Sequence, residues 1–334
     1  MKFETISVSP SSYSDIIAPG TIELNNSFCS KDSNDSARYK RGSAQLNYQQ
    51  VLSIMAKLHC VNKDHCLLTN SGVALATLIS SSRLFDRILI MKGTYPEMQD
   101  AYSRFTMSRV IDTDFDNFKQ GDLVCVESIN VPDCNPVDIE FLRKARQHGA
   151  KILIDNTIPS VYCRRFTDFM PDFIIESMSK FANGTNSSLI SFMYCRDERD
   201  FKEIKDAKRF LGFYPHAFDL YLTVLGLQTY PLRMKQIACT TDELLRQCLC
   251  NYDMQVSCIK QAGLIFLRSK QDIDEKTANS VFRTLDVIQT GDTFGAPYTV
   301  CSMFTDDIIR VSIGLEDYED LIPDIEKLAK FIIK

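Results

Sequence analysis

The sequence has no run of basic residues, no apolar stretch long enough to span a bilayer, and no secretory pattern in its opening MKFETISVSPSS. A formal net charge of −5 gives no electrostatic reason to bind DNA, RNA or an anionic membrane. These absences argue against nucleic-acid and membrane partners and make the cytoplasm the expected compartment. Histidine is scarce. The four residues His59, His65, His148 and His216 are dispersed, and none belongs to a paired motif such as H-E-x-x-H. The twelve cysteines include no C-x-x-C pair, and the nearest couples, Cys60/Cys66 and Cys248/Cys250, lack zinc-ligand spacing. They are expected to be free thiols acting as small hydrophobes, with no metal site. Three nucleotide and hydrolase fingerprints are missing as well. No G-x-G-x-x-G follows the first strand, and no G-x-x-x-x-G-K-[ST] or G-x-S-x-G occurs, against a Rossmann dehydrogenase, a P-loop NTPase and an α/β-hydrolase.

What is present is an ordinary globular composition, 45% hydrophobic and 24% charged over 334 residues, enough for a large domain and a smaller one. Residues 1–50 are polar with little periodicity and read as an extended arm. In NYQQVLSIMAKLHCVNK, Val51, Leu52, Met55 and Leu58 recur at helical spacing. CLLTN then reads as a buried strand, and SGVALATLISSS as a helix with a serine cap. RILIM, LVCVES, KILIDN, FIIES and SLISFMY are apolar runs of strand length, with the helix DIEFLRKARQHG among them. This alternation predicts an α/β fold with a mostly parallel sheet over residues 51–235. The stretch FDLYLTVLGLQTYPLRMKQIACTTDELLRQCLC predicts a long helix interrupted near Pro231, and residues 236–334 a smaller α+β domain.

In an open parallel sheet, ligands sit beyond the carboxyl ends of the strands. Ser71-Gly72-Val73 there offers backbone N–H groups at a helix start, a ready anion site. Asp155-Asn156-Thr157 and Ser177-Met178-Ser179-Lys180 follow two further strands. Each is weak alone, because an Asp in such a place is more often a cap and a Lys more often solvated. Together, a lysine amine, a carboxylate and a phosphate cradle are what pyridoxal phosphate (PLP) needs.

The chain also resembles the Cys/Met-metabolism PLP enzymes, which include cystathionine γ-synthase, cystathionine γ- and β-lyases and methionine γ-lyase. The motifs that carry the resemblance are YKR (39–41), SGV (71–73), ESINVPDCNPVDI (127–139), IDNT (154–157), SMSKF (177–181), LGLQTYPLRM (225–234) and IIRVSIGLEDYEDLI (308–322). It implies PLP fold-type I and an elimination or replacement at Cγ or Cβ of an amino acid, through a Cα carbanion. Lys180 would hold the cofactor and move the Cα proton, Asp155 would hold the pyridine nitrogen protonated, and Thr157 would support Asp155. Ser71, Gly72, Val73, Ser177 and Ser179 would bind the phosphate. Tyr95 would stack on the ring and act near the leaving group, and Arg310 would hold the substrate carboxylate. Tyr39 and Arg41 would reach a neighbouring subunit's phosphate, implying a homodimer or homotetramer with the arm between subunits. Several family positions differ: Tyr95 is followed by Pro96-Glu97-Met98, the family asparagine falls on Val131 with Asn130 adjacent, and QTGDTFGAP (289–297) departs from the usual pattern. Those changes point to a remodelled substrate side. They also admit a specialised biosynthetic reaction, or a PLP-binding protein that has lost catalysis.

Overall fold

The computed structural model describes residues 46–333. The chain enters through α1 (Leu46–His59) and β1 (Cys66–Thr69), then α2 (Gly72–Ser81) and β2 (Arg87–Met91). Next come α3 (Pro96–Phe105), β3 (Met107–Ile111) and β4 (Asp122–Glu127). A two-residue hairpin, β5 (Ile129–Asn130) with β6 (Asn135–Pro136), leads to α4 (Ile139–Gln147) and β7 (Lys151–Asp155). A short α5 (Ser160–Cys163), β8 (Phe173–Ser177) and β9 (Ser191–Cys195) complete a seven-stranded sheet in the order β1-β9-β8-β7-β4-β2-β3.

Strands β3, β2, β4, β7 and β8 run parallel, whereas β9 is antiparallel to both of its neighbours, β8 and β1. Two antiparallel pairings in succession return β1 to the common direction. The carboxyl ends of β1, β2, β4, β7 and β8 therefore share one edge. Alternate residues of β2, β4 and β7 enter two separate cores, as period-two geometry requires. Ile88, Ile90, Leu123, Leu153, Phe173 and Ile175 pack with Leu75 and Leu78 of α2 on one face. Leu89, Val124, Val126, Ile152 and Ile154 pack with Phe141 and Leu142 of α4 on the other.

After α6 (Glu198–Leu211), the helix α7 spans Ala217–Gln247. Here the structure corrects the sequence expectation, because α7 runs through Pro231 without interruption. Proline removes one i→i−4 bond, but buried Val224, Leu227, Tyr230, Met234 and Ile237 hold both halves of the helix against one core. The expected domain boundary at 235/236 falls inside α7. Helix α3 and strand β3 had no counterpart in the sequence reading. Polar residues dilute α3, yet Pro96 opens its first turn, and Met98, Ala101 and Tyr102 are buried at helical spacing.

A five-stranded sheet follows, in the order β10-β11-β14-β13-β12, built from β10 (Gln255–Ile259), β11 (Leu264–Arg268), β12 (Gln289–Thr290), β13 (Val300–Thr305) and β14 (Ile308–Ser312). Helices α8 (Glu275–Phe282) and α9 (Tyr318–Ile332) accompany it. The eleven cysteines among the described residues are all free thiols, and no helix there is long and apolar enough to cross a membrane.

Candidate active site

The shared carboxyl edge of the first sheet gathers most of the residues singled out in the sequence. Asp155 closes β7, and its buried Oδ1 accepts the Thr157 N–H at 2.9 Å. The Thr157 hydroxyl also bonds this carboxylate, and its Oγ1 accepts the Ser177 N–H from the end of β8 at 2.8 Å. Burial lifts the Asp155 carboxyl to about 6, although both Thr157 contacts pull it down. A carboxylate held near the edge of ionisation in a dry setting is suited to a cationic partner placed above it.

Lys180 follows Ser177 in a tight turn, its N–H donating to Ser177 O at 3.4 Å and its carbonyl accepting from the Gly184 N–H at 2.8 Å. The segment after it is clamped by α7. The Arg233 guanidinium donates to Phe181 O (2.9 Å), Ala182 O (3.2 Å) and Gly226 O (2.9 Å). Gly226 lies so close to Asn183 that any Cβ there would overlap the Asn183 carbonyl. These contacts explain why LGLQTYPLRM carries a glycine and an arginine seven residues apart.

The amine itself meets the loop between β12 and β13. Lys180 Nζ donates to Thr293 Oγ1 at 3.3 Å and lies 4.8 Å from the centre of the Phe294 ring. Arg310, on β14, reaches the same loop from the second sheet. Its Nη2 donates to Asp292 Oδ1 at 2.6 Å, to Ser302 Oγ at 3.1 Å and to Thr293 O at 3.4 Å, with Phe294 5.9 Å from the guanidinium carbon. Burial, then the Arg310 charge, lowers the Lys180 pKa, while Asp292 and Glu97 oppose that shift. The stretch 289–297, which matched the family pattern poorly, is thus the one that joins Lys180 to Arg310. No residue pattern marked Asp292, Thr293 or Phe294 for this place; only the return of β14 beside β13 brings them there.

At the head of α2, the Ser71 hydroxyl accepts the Ala74 N–H at 3.0 Å and serves as the cap. The N–H groups of Gly72 and Val73 belong to the first turn, where helix geometry supplies no acceptor. Ser179 exchanges hydrogen bonds with the Ile190 backbone, accepting from N–H at 3.1 Å and donating to O at 3.4 Å. Tyr95 caps α3 with half of its surface exposed, 51%, and its N–H donates to Glu127 Oε1 at 3.2 Å. Val131 packs against the main core, whereas the Asn130 side chain lies against Gly93 in the turn before Tyr95. Tyr39 and Arg41 lie outside the described residues, as does nearly all of the expected arm.

Two observations test whether PLP fits these residues. The Ser191 hydroxyl is fully buried without a partner among the described residues, and it lies 3.6 Å from where a Cβ on Gly72 would stand. An orphan donor beside two open helix N–H groups suits a phosphate. Asp155, a buried carboxylate fixed by Thr157, suits a pyridinium. The donor set fits the cofactor.

Comparison with known proteins agrees. The profile of the Cys/Met metabolism PLP-dependent enzymes matches residues 21–246. The cystathionine γ-synthase/O-acetylhomoserine (thiol)-lyase of Bacillus subtilis is 24% identical over 328 residues, covering 88% of this chain and 85% of its own. Cystathionine γ-lyase of Saccharomyces cerevisiae is 23% identical, covering 80% of this chain and 82% of its own. Among solved structures, metB from Corynebacterium glutamicum superposes with a TM-score of 0.81 at 20% identity, over 98% of this chain and 100% of that one. Yeast cystathionine γ-lyase gives 0.79 at 18% identity over 99% of each. The structural likeness establishes PLP fold-type I, and the profile match, which takes in most of the site, establishes more: this chain belongs to the Cys/Met metabolism PLP-dependent enzymes.

Proposed function

We propose that this enzyme carries out elimination or replacement at Cγ, or at Cβ, of an amino acid of the homoserine, cysteine or methionine type. The observation that carries the reading is that the Lys180 amine and the Arg310 guanidinium both reach Thr293 and Phe294. That spacing suits a substrate whose carboxylate is held at one end while a proton is moved at the neighbouring carbon.

In this reading Arg310 binds the substrate carboxylate through its planar donors. Lys180 holds the cofactor and takes the Cα proton, a task favoured by burial and by the Arg310 charge, both of which lower its affinity for protons. PLP, when bound, supplies an electron-accepting ring that stabilises negative charge at Cα. Asp155 keeps the ring nitrogen protonated, and Thr157 fixes that carboxylate through its N–H and ties it to β8 through its hydroxyl. The Gly72 and Val73 N–H groups with Ser71, Ser177 and Ser179 form the phosphate side, and Tyr95 stands at the exposed mouth, able to stack and to exchange a proton near the leaving group. Residues 51–235 would be the cofactor-binding domain and 236–334 the smaller one.

We extend the proposal to a homodimer or homotetramer in which Tyr39 and Arg41 reach across to a neighbour. Exposed Val73 and Leu189 (38% and 63%) beside the site support a subunit contact there. The test is product analysis with O-acetylhomoserine, cystathionine, cysteine and methionine. Turnover of at least one, abolished in Lys180→Ala together with the borohydride-sensitive absorbance, is the expected result. Absence of turnover with all four would overturn the reading.

A further inference from the structure

We propose that Asp292 sets the charge class of substrate that this site accepts, disfavouring amino acids whose side chains carry a second negative charge. The inference rests on the reading of Arg310 as the carboxylate anchor. All three bonds made by that guanidinium leave from Nη2: to Asp292 Oδ1, Ser302 Oγ and Thr293 O. The two forks of a guanidinium that can grip a carboxylate, Nε/Nη2 and Nη1/Nη2, both include Nη2, so a bound substrate carboxylate shares that nitrogen with Asp292. Asp292 is thus a carboxylate already seated beside the place where another must bind.

Its exposure decides what it does there. The Arg310 side chain is 11% exposed and the Asp292 side chain 87%. An ion pair with so exposed a partner contributes little to holding either side chain in place. Asp292 therefore does not lock Arg310 against substrate. It leaves a fixed negative charge a few ångströms from the bound carboxylate. For an amino acid with a neutral side chain, the α-ammonium offsets that charge. A side-chain carboxylate has no such offset. Exposed Glu97, in the first turn of α3, adds to the effect, since its charge and that of Asp292 both act on Lys180. Both residues stand in stretches, 95–98 and 289–297, that depart from the family pattern, which is where a change in specificity would be written.

The experiment uses the PLP-loaded enzyme and two probes without a leaving group, L-alanine and L-glutamate, with Kd read from the change in bound-cofactor absorbance. Asp292→Asn should tighten L-glutamate roughly three- to tenfold more than L-alanine at low salt. The difference should shrink near ~1 M salt, where the screening length falls to ~3 Å. Asp292→Glu should keep the wild-type preference. Equal changes for both probes, or weaker glutamate binding in Asp292→Asn, would overturn the inference while the functional reading stands. A wild-type chain that takes up no PLP would overturn both.

Discussion

Glu127 at the end of β4 stands directly opposite Asp155 at the end of β7, and both carboxylates are buried. Burial, and then the Asp155 charge, push Glu127 well above the usual carboxylate range, and burial lifts Asp155 to about 6. Glu127 thus has two causes that disfavour its charge, whereas Asp155 has Thr157 contacts that favour its own.

That difference predicts opposite outcomes for two isosteric changes. Glu127→Gln removes a charge that burial and Asp155 both disfavour and keeps an oxygen for the Tyr95 N–H, so PLP affinity should change by less than about threefold. Asp155→Asn removes the carboxylate that Thr157 supports and should lower turnover by a factor on the order of a hundred or more. Spectrophotometric PLP titration with steady-state assays would check the pair; equal losses in both would refute the distinction between the two carboxylates.

Asp155 also makes stability depend on pH. Its folded pKa lies above its ordinary value of 3.8, so the favourable contribution is complete below that value and is lost as pH rises through about 6. In the cofactor-free chain, Asp155→Asn should gain on wild type as pH rises from about 4, levelling at about 3 kcal/mol above pH 7. Urea unfolding at several pH values measures this, and a pH-independent gap would contradict it.

Lys208 gives a second pH signature, remote from the site. Buried near the end of α6, its amine donates to Tyr48 Oη at 3.1 Å and lies against the Tyr48 and Tyr214 rings. Burial, then the Lys205 charge, lowers it to about 7. A depressed lysine contributes most above its unfolded value of 10.5 and loses that contribution as pH falls through 7. Lys208→Met should therefore stabilise the chain most at or below pH 7, by up to about 5 kcal/mol less the lost Tyr48 bond. Thermal melts at pH 6 and pH 9 that shift equally would dismiss the effect.

Arg233→Ala should unfasten the segment that carries Lys180. It strips three carbonyls of a charged donor in a buried setting, a loss of roughly 3–5 kcal/mol. Gly226→Ala should act on the same segment by pushing on the Asn183 carbonyl. Both variants should show faster hydrogen exchange over residues 180–185, measurable by mass spectrometry, and weaker PLP retention. Unchanged exchange there would show that the clamp is dispensable.

Much of this arrangement was legible in the sequence because strand ends announce themselves. Apolar runs ending in Asp155, Ser177 and Thr69 located the shared edge, and a parallel sheet brings such ends together. Helix α7 was misread at Pro231 because one missing hydrogen bond is visible in sequence, whereas the buried stripe that overrides it acts through tertiary packing. Asp292, Thr293 and Phe294 were illegible for another reason: their place depends on how the second sheet folds back, which no local period encodes. Val131 drew attention as a departure at the site, yet it packs into the core, and its neighbour Asn130 faces the Tyr95 turn.

Gly295 adds a mechanical consequence. A Cβ there would lie 2.7 Å from Phe181 N and 2.9 Å from the Lys180 carbonyl carbon, so backbone rests directly on backbone. One side of this contact hangs from β8 and the other leads into β13, so the two sheets touch backbone to backbone beside the amine. Any larger residue at 295 would push the second sheet, and Arg310 with it, away from Lys180.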